Sequence, residues 1–162
     1  MREPLLVVDG DNVAHARWRG RRGRSDLPRM RDELIQAVAG HASRVGTDAI
    51  VVLDGPGTDA MVGRTAIRYS GTVSGDTLIE RLAYRFSPTH EVTVVSADRV
   101  LRHVAQTGGA VVMGPRALLE QIAASQRGEE HGDARRTRFQ LREAVSEDVR
   151  EALDRMRRGE PP

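Results

Sequence analysis

The sequence predicts an α/β fold, a Rossmann-like three-layer sandwich with a mainly parallel central sheet, followed by a C-terminal amphipathic helix. Three observations predict it. The short aliphatic runs do not alternate with polar residues, which is typical of strands covered on both faces. Segments with helical spacing follow these runs, as in β-α units. The 162 residues have the size of one domain, and with 39% hydrophobic but only 3% aromatic residues the core must be aliphatic.

The individual elements follow from local patterns. Strands are predicted where aliphatic runs end at polar or turn residues, over 5–8, 49–53, 65–70, 91–96 and 110–113. Helices are predicted where apolar residues recur every three or four positions, over 28–44, 77–86, 99–107 and from Pro115 onward. Leu141, Val149 and Leu153 recur in the same way and predict the terminal helix.

Composition shifts predict the organisation of the chain. Residues 1–126 contain all the predicted strands and form the sandwich domain. Residues 127–137 contain Arg, Glu, Gly and His in no periodic order, which is typical of a connector. Residues 138–162 are predicted to form the terminal helix, packed on the same domain.

Missing residue types exclude several kinds of chemistry. The chain has no cysteine, which excludes disulfides, zinc–thiolate sites and thiol catalysis. All 25 basic residues are arginine, which excludes Schiff-base lysines and a P-loop. No apolar run reaches the roughly 18 residues of a membrane span, and the first apolar run is too short for a signal peptide. We therefore expect a cytoplasmic protein with no membrane partner.

Positive charge is concentrated in one segment. The net charge is +2, but residues 17–31 contain seven arginines and a single acidic residue, Asp26. A basic segment on a nearly neutral body indicates a polyanionic partner. The alternative is a solvated loop.

Carboxylates follow the predicted strands at their carboxyl ends, where parallel α/β sheets bind ligands. Asp9, Asp54 and Asp98 each follow a strand, and Asp76 and Glu80 follow the third one. The last two are four residues apart and so lie on one side of their helix. Acids that converge on one edge repel each other unless a cation is shared, and Mg²⁺ or Mn²⁺ prefers such oxygen ligands.

Each acid also has a purely structural interpretation. Asp98 suits the N-cap of the helix that starts at Arg99. Thr77 and Glu80 fit a capping box, and Asp54 suits the turn before Gly-Pro-Gly. Any one of these acids can have a purely structural role. We do not expect all of them, at consecutive strand ends, to have only such roles.

Four ordered motifs resemble the YacP-like NYN domain ribonucleases of the PIN-like nuclease superfamily. They are LLVVDGDN at 5–12, VLDG at 52–55, GDTLIE at 75–80 and VSADR at 95–99. The resemblance covers about residues 5–125. It implies a PIN-like nuclease domain over 1–126 that hydrolyses RNA with a divalent metal, Mg²⁺ or Mn²⁺.

The resemblance also implies roles for individual residues. Asp9, Asp76 and Asp98 match the metal-binding acids of the family, with Asn12 and Glu80 as assisting catalytic residues. Asp11 stands where the family usually has an aromatic residue, so it adds a ligand, alters the metal preference or points into solvent. Asp54 and Ser96 are further auxiliary candidates.

The basic segment then gains a role in binding RNA. Arginine forms a planar fork that suits phosphate, and Trp18 can stack on an unpaired base or pack half-buried against the domain. The segment follows the strand of Asp9 directly, so we expect it near the mouth of the site. The predicted RNA-binding residues are Arg17, Trp18, Arg19, Arg21, Arg22 and Arg24.

Two alternative functions stay open. Residues 7–13 also resemble the start of haloacid-dehalogenase-like phosphatases, with Asp9 as nucleophile, although the lysine of that family is missing. The other alternative is a non-catalytic module that binds RNA or the ribosome through a degenerate site. The expected partner is RNA, mRNA in particular, with the ribosome as a further candidate; the oligomeric state is not predicted.

Overall fold

A computed structural model of the protein describes residues 1–19, 26–132 and 146–159. Its strands are β1 (Glu3–Asp9), β2 (Asp48–Leu53), β3 (Ala60–Val62), β4 (Thr65–Tyr69), β5 (His90–Val95) and β6 (Val111–Met113). They form one sheet with the order β3-β4-β2-β1-β5-β6. All neighbouring pairs are parallel except β3 with β4, so the predicted, mainly parallel sheet is confirmed.

Helices cover both faces of this sheet. They are α1 (Gly10–Arg17), α2 (Leu27–Val45), α3 (Gly75–Phe86), α4 (Arg99–Thr107), α5 (Pro115–Gly132) and α6 (Glu147–Arg157). Helices α3, α4 and α6 pack on one face, and α1, α2 and α5 pack on the other. The three-layer sandwich is therefore confirmed. None of the helices within the described residues is long and apolar enough to cross a membrane.

The two cores meet the sheet through alternate residues of its central strands. In β1, Val7 packs in the core under α3 and Val8 in the core under α2, and neither is exposed. Ile50 and Val51 divide in the same way in β2, where every residue is buried. This burial on both faces explains why the strands show no polar alternation in the sequence.

The strand order changes direction at β1. The chain passes from β1 to β2 and β4 on one side, and then returns to place β5 and β6 on the other. The crevice between the carboxyl ends of β1 and β5 is thus the topological switch point, where open α/β sheets bind ligands. We call the side with the carboxyl ends of β1, β2 and β5 the carboxyl edge, and the opposite side the amino edge.

Two elements were not predicted. Helix α1 directly follows β1, where only a polar strand end and a basic loop were expected. Its eight residues are too few to display the helical period, and its start depends on a tertiary fit at Gly10. Strand β3 has only three residues and pairs antiparallel at the edge of the sheet, so its sequence carries no strand pattern.

The predicted connector is wrong in its first part. Helix α5 continues to Gly132, so 127–132 belong to a helix, and 133–137 lie outside the described residues. The polar composition of residues 127–132 suits the solvated end of a helix as well as a loop. Of the C-terminal pattern, Val149 and Leu153 of α6 are buried in the core with α3 and α4, while Leu141 lies outside the described residues.

The turn from β1 into α1 depends on a glycine. A Cβ on Gly10 would lie 2.7 Å from Leu53 Cδ2 and 2.8 Å from the Val52 carbonyl oxygen. We expect Gly10→Ala to lower the free energy of unfolding by about 1–3 kcal/mol, because one extra carbon overpacks the core. Urea denaturation measures the loss. Gly128→Ala is the matched control, since no atom outside the neighbouring backbone of its own helix lies within 4 Å of its Cβ position; equal stability of the two variants would contradict the fit.

Candidate active site at the carboxyl edge

Asp9 lies at the centre of the carboxyl edge. Val8 pairs with Val95, and this register places the side chains of Asp9 and Ser96 next to each other across the switch point. The Ser96 hydroxyl donates to Asp9 Oδ2 at 2.8 Å, and the backbone N–H of Asn12 donates to Asp9 Oδ1 at 3.4 Å. The pKa of Asp9 is raised to about 6, mainly because the carboxyl is buried, and the charges of Asp76 and Asp54 contribute to this rise.

Asp98 is connected to Asp9 through Ser96. The buried Ser96 hydroxyl, which donates to Asp9, also accepts the backbone N–H of Asp98 at 3.1 Å. Asp98 caps α4, as the sequence predicted: its Oδ1 accepts the amides of Val100 and Leu101 at 2.7 and 3.1 Å. Both bonds use Oδ1, so Oδ2 is the oxygen that Asp98 offers to a ligand.

Asn12 fixes the loop between β5 and α4. Its side-chain Oδ1 accepts the backbone N–H of Ala97 at 2.8 Å. This bond ties the first turn of α1 to the loop that carries Asp98. Asn12 therefore positions the site, and its amide Nδ2 is the group that it can offer to a substrate.

Asp54 connects the end of β2 to the start of α3. Its Oδ1 accepts the backbone N–H of Gly75 at 2.7 Å, and a Cβ on Gly75 would lie only 2.6 Å from that oxygen. Glycine is needed here because of the close approach. The N-cap of α3 is Ser74, whose hydroxyl accepts the Thr77 amide at 3.1 Å, so the alternative interpretation of Thr77 and Glu80 as a capping box does not hold.

Asp76 and Glu80 lie on α3 beside this anchor. Asp76 is exposed, in the first turn, and Glu80 is half-buried, one turn and about 6 Å farther along the helix. Partial burial raises the pKa of Asp76, and the charges of Asp98 and Asp54 add to the rise. The four aspartates of the carboxyl edge thus share one electrostatic environment, which we call the acidic edge cluster: Asp9, Asp54, Asp76 and Asp98.

The acidic edge cluster offers the donor type that a hard divalent cation prefers, because every side-chain donor is a carboxylate oxygen. Its carboxylate oxygens do not form a set of three within 4.8 Å of each other. Within the described residues, the one set of three acidic or histidine groups with donor atoms within 4.8 Å of each other lies at the amino edge, not here. Such spacing suits Mg²⁺, which keeps several waters and binds through one or two carboxylates plus substrate phosphates.

Asp11 is neither a ligand of this cluster nor a solvent-exposed residue, which corrects the expectation from the sequence. It is buried, and its oxygens accept the Arg31 guanidinium in a bidentate pair, with both bonds 2.7 Å long. Asp11 Oδ2 also accepts the Asp54 amide at 2.9 Å, and Arg31 donates to the Asp54 carbonyl at 3.1 Å. The pair therefore holds the end of β2 in place.

Arg31 was missed by the sequence reasoning. It lies on α2, 20 residues after Asp11, and no pattern in the chain links the two positions. The hydrogen bond to Asp11 is the main cause that raises the pKa of Arg31. The bidentate pair with Asp11 compensates the charge of this guanidinium within the protein.

Of the two roles considered for Trp18, packing against the domain agrees with the structure and stacking on a base does not. Its indole is 9% exposed and packs in the core with α2, and the Arg17 guanidinium lies 4.9 Å from the ring centroid. With one face covered and the rest in the core, the ring has no surface on which a base could stack. The sequence signal for stacking, one aromatic residue among arginines, is equally typical of a buried anchor.

The described arginines of the basic segment do not all lie at the mouth of the site. Arg17 and Arg19 are exposed, but α1 places Arg17 about 12 Å along the helix axis from Asp9, and Arg19 follows the end of this helix. The chain returns to the carboxyl edge at Arg31, which contacts Asp54. The remaining predicted RNA-binding residues lie outside the described residues: Arg21, Arg22 and Arg24.

Fold and site together define a class of protein. A Rossmann-like sheet with a carboxylate cluster at its switch point is the arrangement of a PIN-like nuclease fold. The model of the YacP-like NYN domain matches residues 6–158, and the chain belongs to this family. The family is one of nucleases, which agrees with the acidic edge cluster.

Two solved structures resemble the whole chain. Both are crystal structures of Rae1 (YacP) from Bacillus subtilis, one of them a tryptophan-to-leucine mutant. The mutant is 24% identical, with a TM-score of 0.66 and 96% of each chain covered. The other is 23% identical, also with a TM-score of 0.66, and covers 96% of this chain and 95% of its own. A search of curated proteins found no match.

The raised pKa of Asp9 has a consequence for stability. An acid whose pKa rises on folding, here from 3.8 to about 6, destabilises the fold above that pKa, and the cost disappears as the pH falls below 3.8. In EDTA, we expect Asp9→Asn to raise Tm at pH 8 and to lose this advantage near pH 4. Thermal melts across this pH range measure the effect. A variant that melts lower than the wild type at pH 8 would contradict it.

The Asp11–Arg31 pair gives a second prediction. Arg31→Leu leaves a buried carboxylate unpaired, and we expect it to lower the free energy of unfolding by about 3 kcal/mol. Arg29→Leu is the matched control on the same helix, because its pair with Glu33 is exposed and should contribute less than about 0.5 kcal/mol. Urea denaturation compares the two, and equal losses would show that the buried pair has no special role.

Proposed function

We propose that this protein is a divalent-metal-dependent endoribonuclease that hydrolyses phosphodiester bonds at the acidic edge cluster. The observation that carries the proposal is the meeting of Asp9, Asp54, Asp76 and Asp98 at the topological switch point. The charges of Asp54 and Asp76 raise the pKa of Asp9, those of Asp54 and Asp98 raise the pKa of Asp76, and a bound cation would relieve this repulsion. Membership of a nuclease family gives the reaction class, and RNA is the substrate that this family suggests.

The proposed metal ligands are Asp9, Asp76 and Asp98, each from a different element. A bound Mg²⁺ or Mn²⁺ would activate a water and neutralise charge on the phosphate. Ser96 holds the Asp9 carboxylate in one orientation and couples it to the Asp98 backbone. Asp54 fixes the first turn of α3, which carries Asp76.

Asn12 and Glu80 are proposed to assist. Asn12 stands beside Asp9 and can donate from Nδ2 to a phosphate oxygen, while its Oδ1 stays on the Ala97 amide. Glu80 is half-buried one turn after Asp76 and is placed to accept a proton from a water at the edge.

The RNA must also be held near a cluster that repels its phosphates. Arg99 follows Asp98 directly and is exposed, so it lies beside the cluster at the start of α4. Arg17 and Arg19 are exposed farther from it, and Arg21, Arg22 and Arg24 remain proposed contacts. Arginine forks that bind phosphates would give an affinity that falls with salt and depends little on sequence.

The decisive experiment uses a circular single-stranded RNA derived from an mRNA fragment, because only an endonuclease can open a circle. We expect cleavage with Mn²⁺ or Mg²⁺ and none in EDTA. Asp76→Asn and Asp98→Asn should each lower the rate at least about a hundredfold, and asparagine at 98 keeps a good helix cap.

The matched control is Glu91→Gln, an exposed acid at the amino edge, which should cleave at the wild-type rate. Cleavage by Asp98→Asn at that rate would overturn the site. RNA binding without cleavage under any metal would favour the non-catalytic module. Hydrolysis of p-nitrophenyl phosphate with a phosphorylated Asp9 would favour the phosphatase, although the lysine that such enzymes use is missing from this chain.

A further inference from the structure

A second cluster of metal-ligand residues lies at the amino edge. Glu3 begins β1, His90 begins β5 and Asp148 lies in the first turn of α6. Their nearest donor atoms all lie within 4.8 Å of each other. Asp9 is at the other end of β1, six residues and about 20 Å away. The cluster is thus separate from the acidic edge cluster.

His90 is held as a ligand histidine usually is. It is 4% exposed, and the Phe86 ring meets it edge-on with centroids 5.3 Å apart. The Thr89 hydroxyl lies 2.8 Å from its Nδ1, which leaves Nε2 pointing outward at Asp148 Oδ2, 3.1 Å away. Metal-binding histidines commonly have one ring nitrogen fixed by a neighbour while the other faces the ion.

The two carboxylates are exposed, Asp148 accepts hydrogen bonds from Ser146 and the Val149 amide, and the backbone at the start of α6 is fixed. Ser146, just before α6, donates its N–H to buried Asp48 at 3.0 Å, and its hydroxyl bonds the same oxygen. Val149 packs in the core one residue after Asp148. Ligands at 2.0–2.1 Å from a tetrahedral zinc are about 3.4 Å apart, so the three donor atoms would have to approach each other by at most about 1.4 Å, and a water would take the fourth position.

We propose that Glu3, His90 and Asp148 bind a divalent transition-metal ion of the Zn²⁺ type, which clamps helix α6 to the central sheet. One imidazole nitrogen with two carboxylate oxygens selects such an ion over Mg²⁺, whereas the acidic edge cluster offers only oxygens. The ion would connect β1, β5 and α6, three elements distant in sequence. The proposal does not depend on the endoribonuclease function.

A simple ion pair is the competing explanation. His90 and Asp148 form a bridge when the imidazole is protonated, and Glu3 is then only a neighbour. The two explanations differ in what they require. A bound ion needs all three side chains and saturates at one per chain, whereas an ion pair needs neither Glu3 nor metal.

The test uses full-length protein with Asp76→Asn and Asp98→Asn as the background, so that the acidic edge cluster does not compete for metal. Zn²⁺ binding is measured against a chromophoric chelator, together with Tm. We expect one Zn²⁺ per chain and a Tm rise of about 5–10 °C at a hundredfold excess over the dissociation constant. Hydrogen exchange should slow across α6, and Mg²⁺ should have neither effect.

Variants of the exposed ligands keep the test independent of folding. Glu3→Gln and Asp148→Asn, added singly, should each weaken Zn²⁺ binding at least about tenfold. Glu147→Gln, the exposed neighbour of Asp148 on the same helix turn, should leave binding unchanged. The absence of stoichiometric Zn²⁺ binding would overturn the proposal, and so would binding that is insensitive to Glu3→Gln or Asp148→Asn. Because RNA is not used, the outcome is separate from that of the cleavage assay.

Discussion

A carboxylate buried at the end of the central strand is the constraint on which the carboxyl edge depends. β1 lies between β2 and β5, so the side chain of Asp9 emerges inside the crevice rather than at a solvated margin. A buried negative group must be hydrogen-bonded or neutralised. The Ser96 hydroxyl and the backbone N–H of Asn12 supply the hydrogen bonds. The part of the burial that they do not compensate raises the pKa of Asp9 to about 6. The geometry of the surrounding loops follows from these bonds.

The protein holds its acidic edge cluster with a second layer of polar contacts. Arg31 neutralises Asp11. Asp11 accepts the backbone N–H of Asp54, and Arg31 donates to the Asp54 carbonyl. Asp54 in turn anchors the Gly75 amide at the start of α3. Four segments distant in sequence are thereby fixed around one crevice. Such a scaffold holds the carboxylates at one edge of the sheet although they repel each other.

The two ends of the sheet carry different donor chemistry. The carboxyl edge presents carboxylate oxygens from strand ends and helix caps, a set suited to hard ions. The amino edge combines the buried imidazole of His90 with exposed Glu3 and Asp148, beside the packed start of α6. The terminal helix therefore meets the sheet through both apolar burial and a polar cluster.

The sequence alone determined the α/β class, most strands and helices and the acids at the strand ends, because burial on both faces and helical periodicity are local signals. Helix α1 was not predictable, since it needs Gly10 to fit against β2. The roles of Asp11 and Trp18 were decided by tertiary contacts, a pair with Arg31 and burial under α2. A sequence lists which residues can bind metal, stack or pair. Only the packed structure decides which partners reach them, because the distances between segments far apart in the chain are set by the sheet.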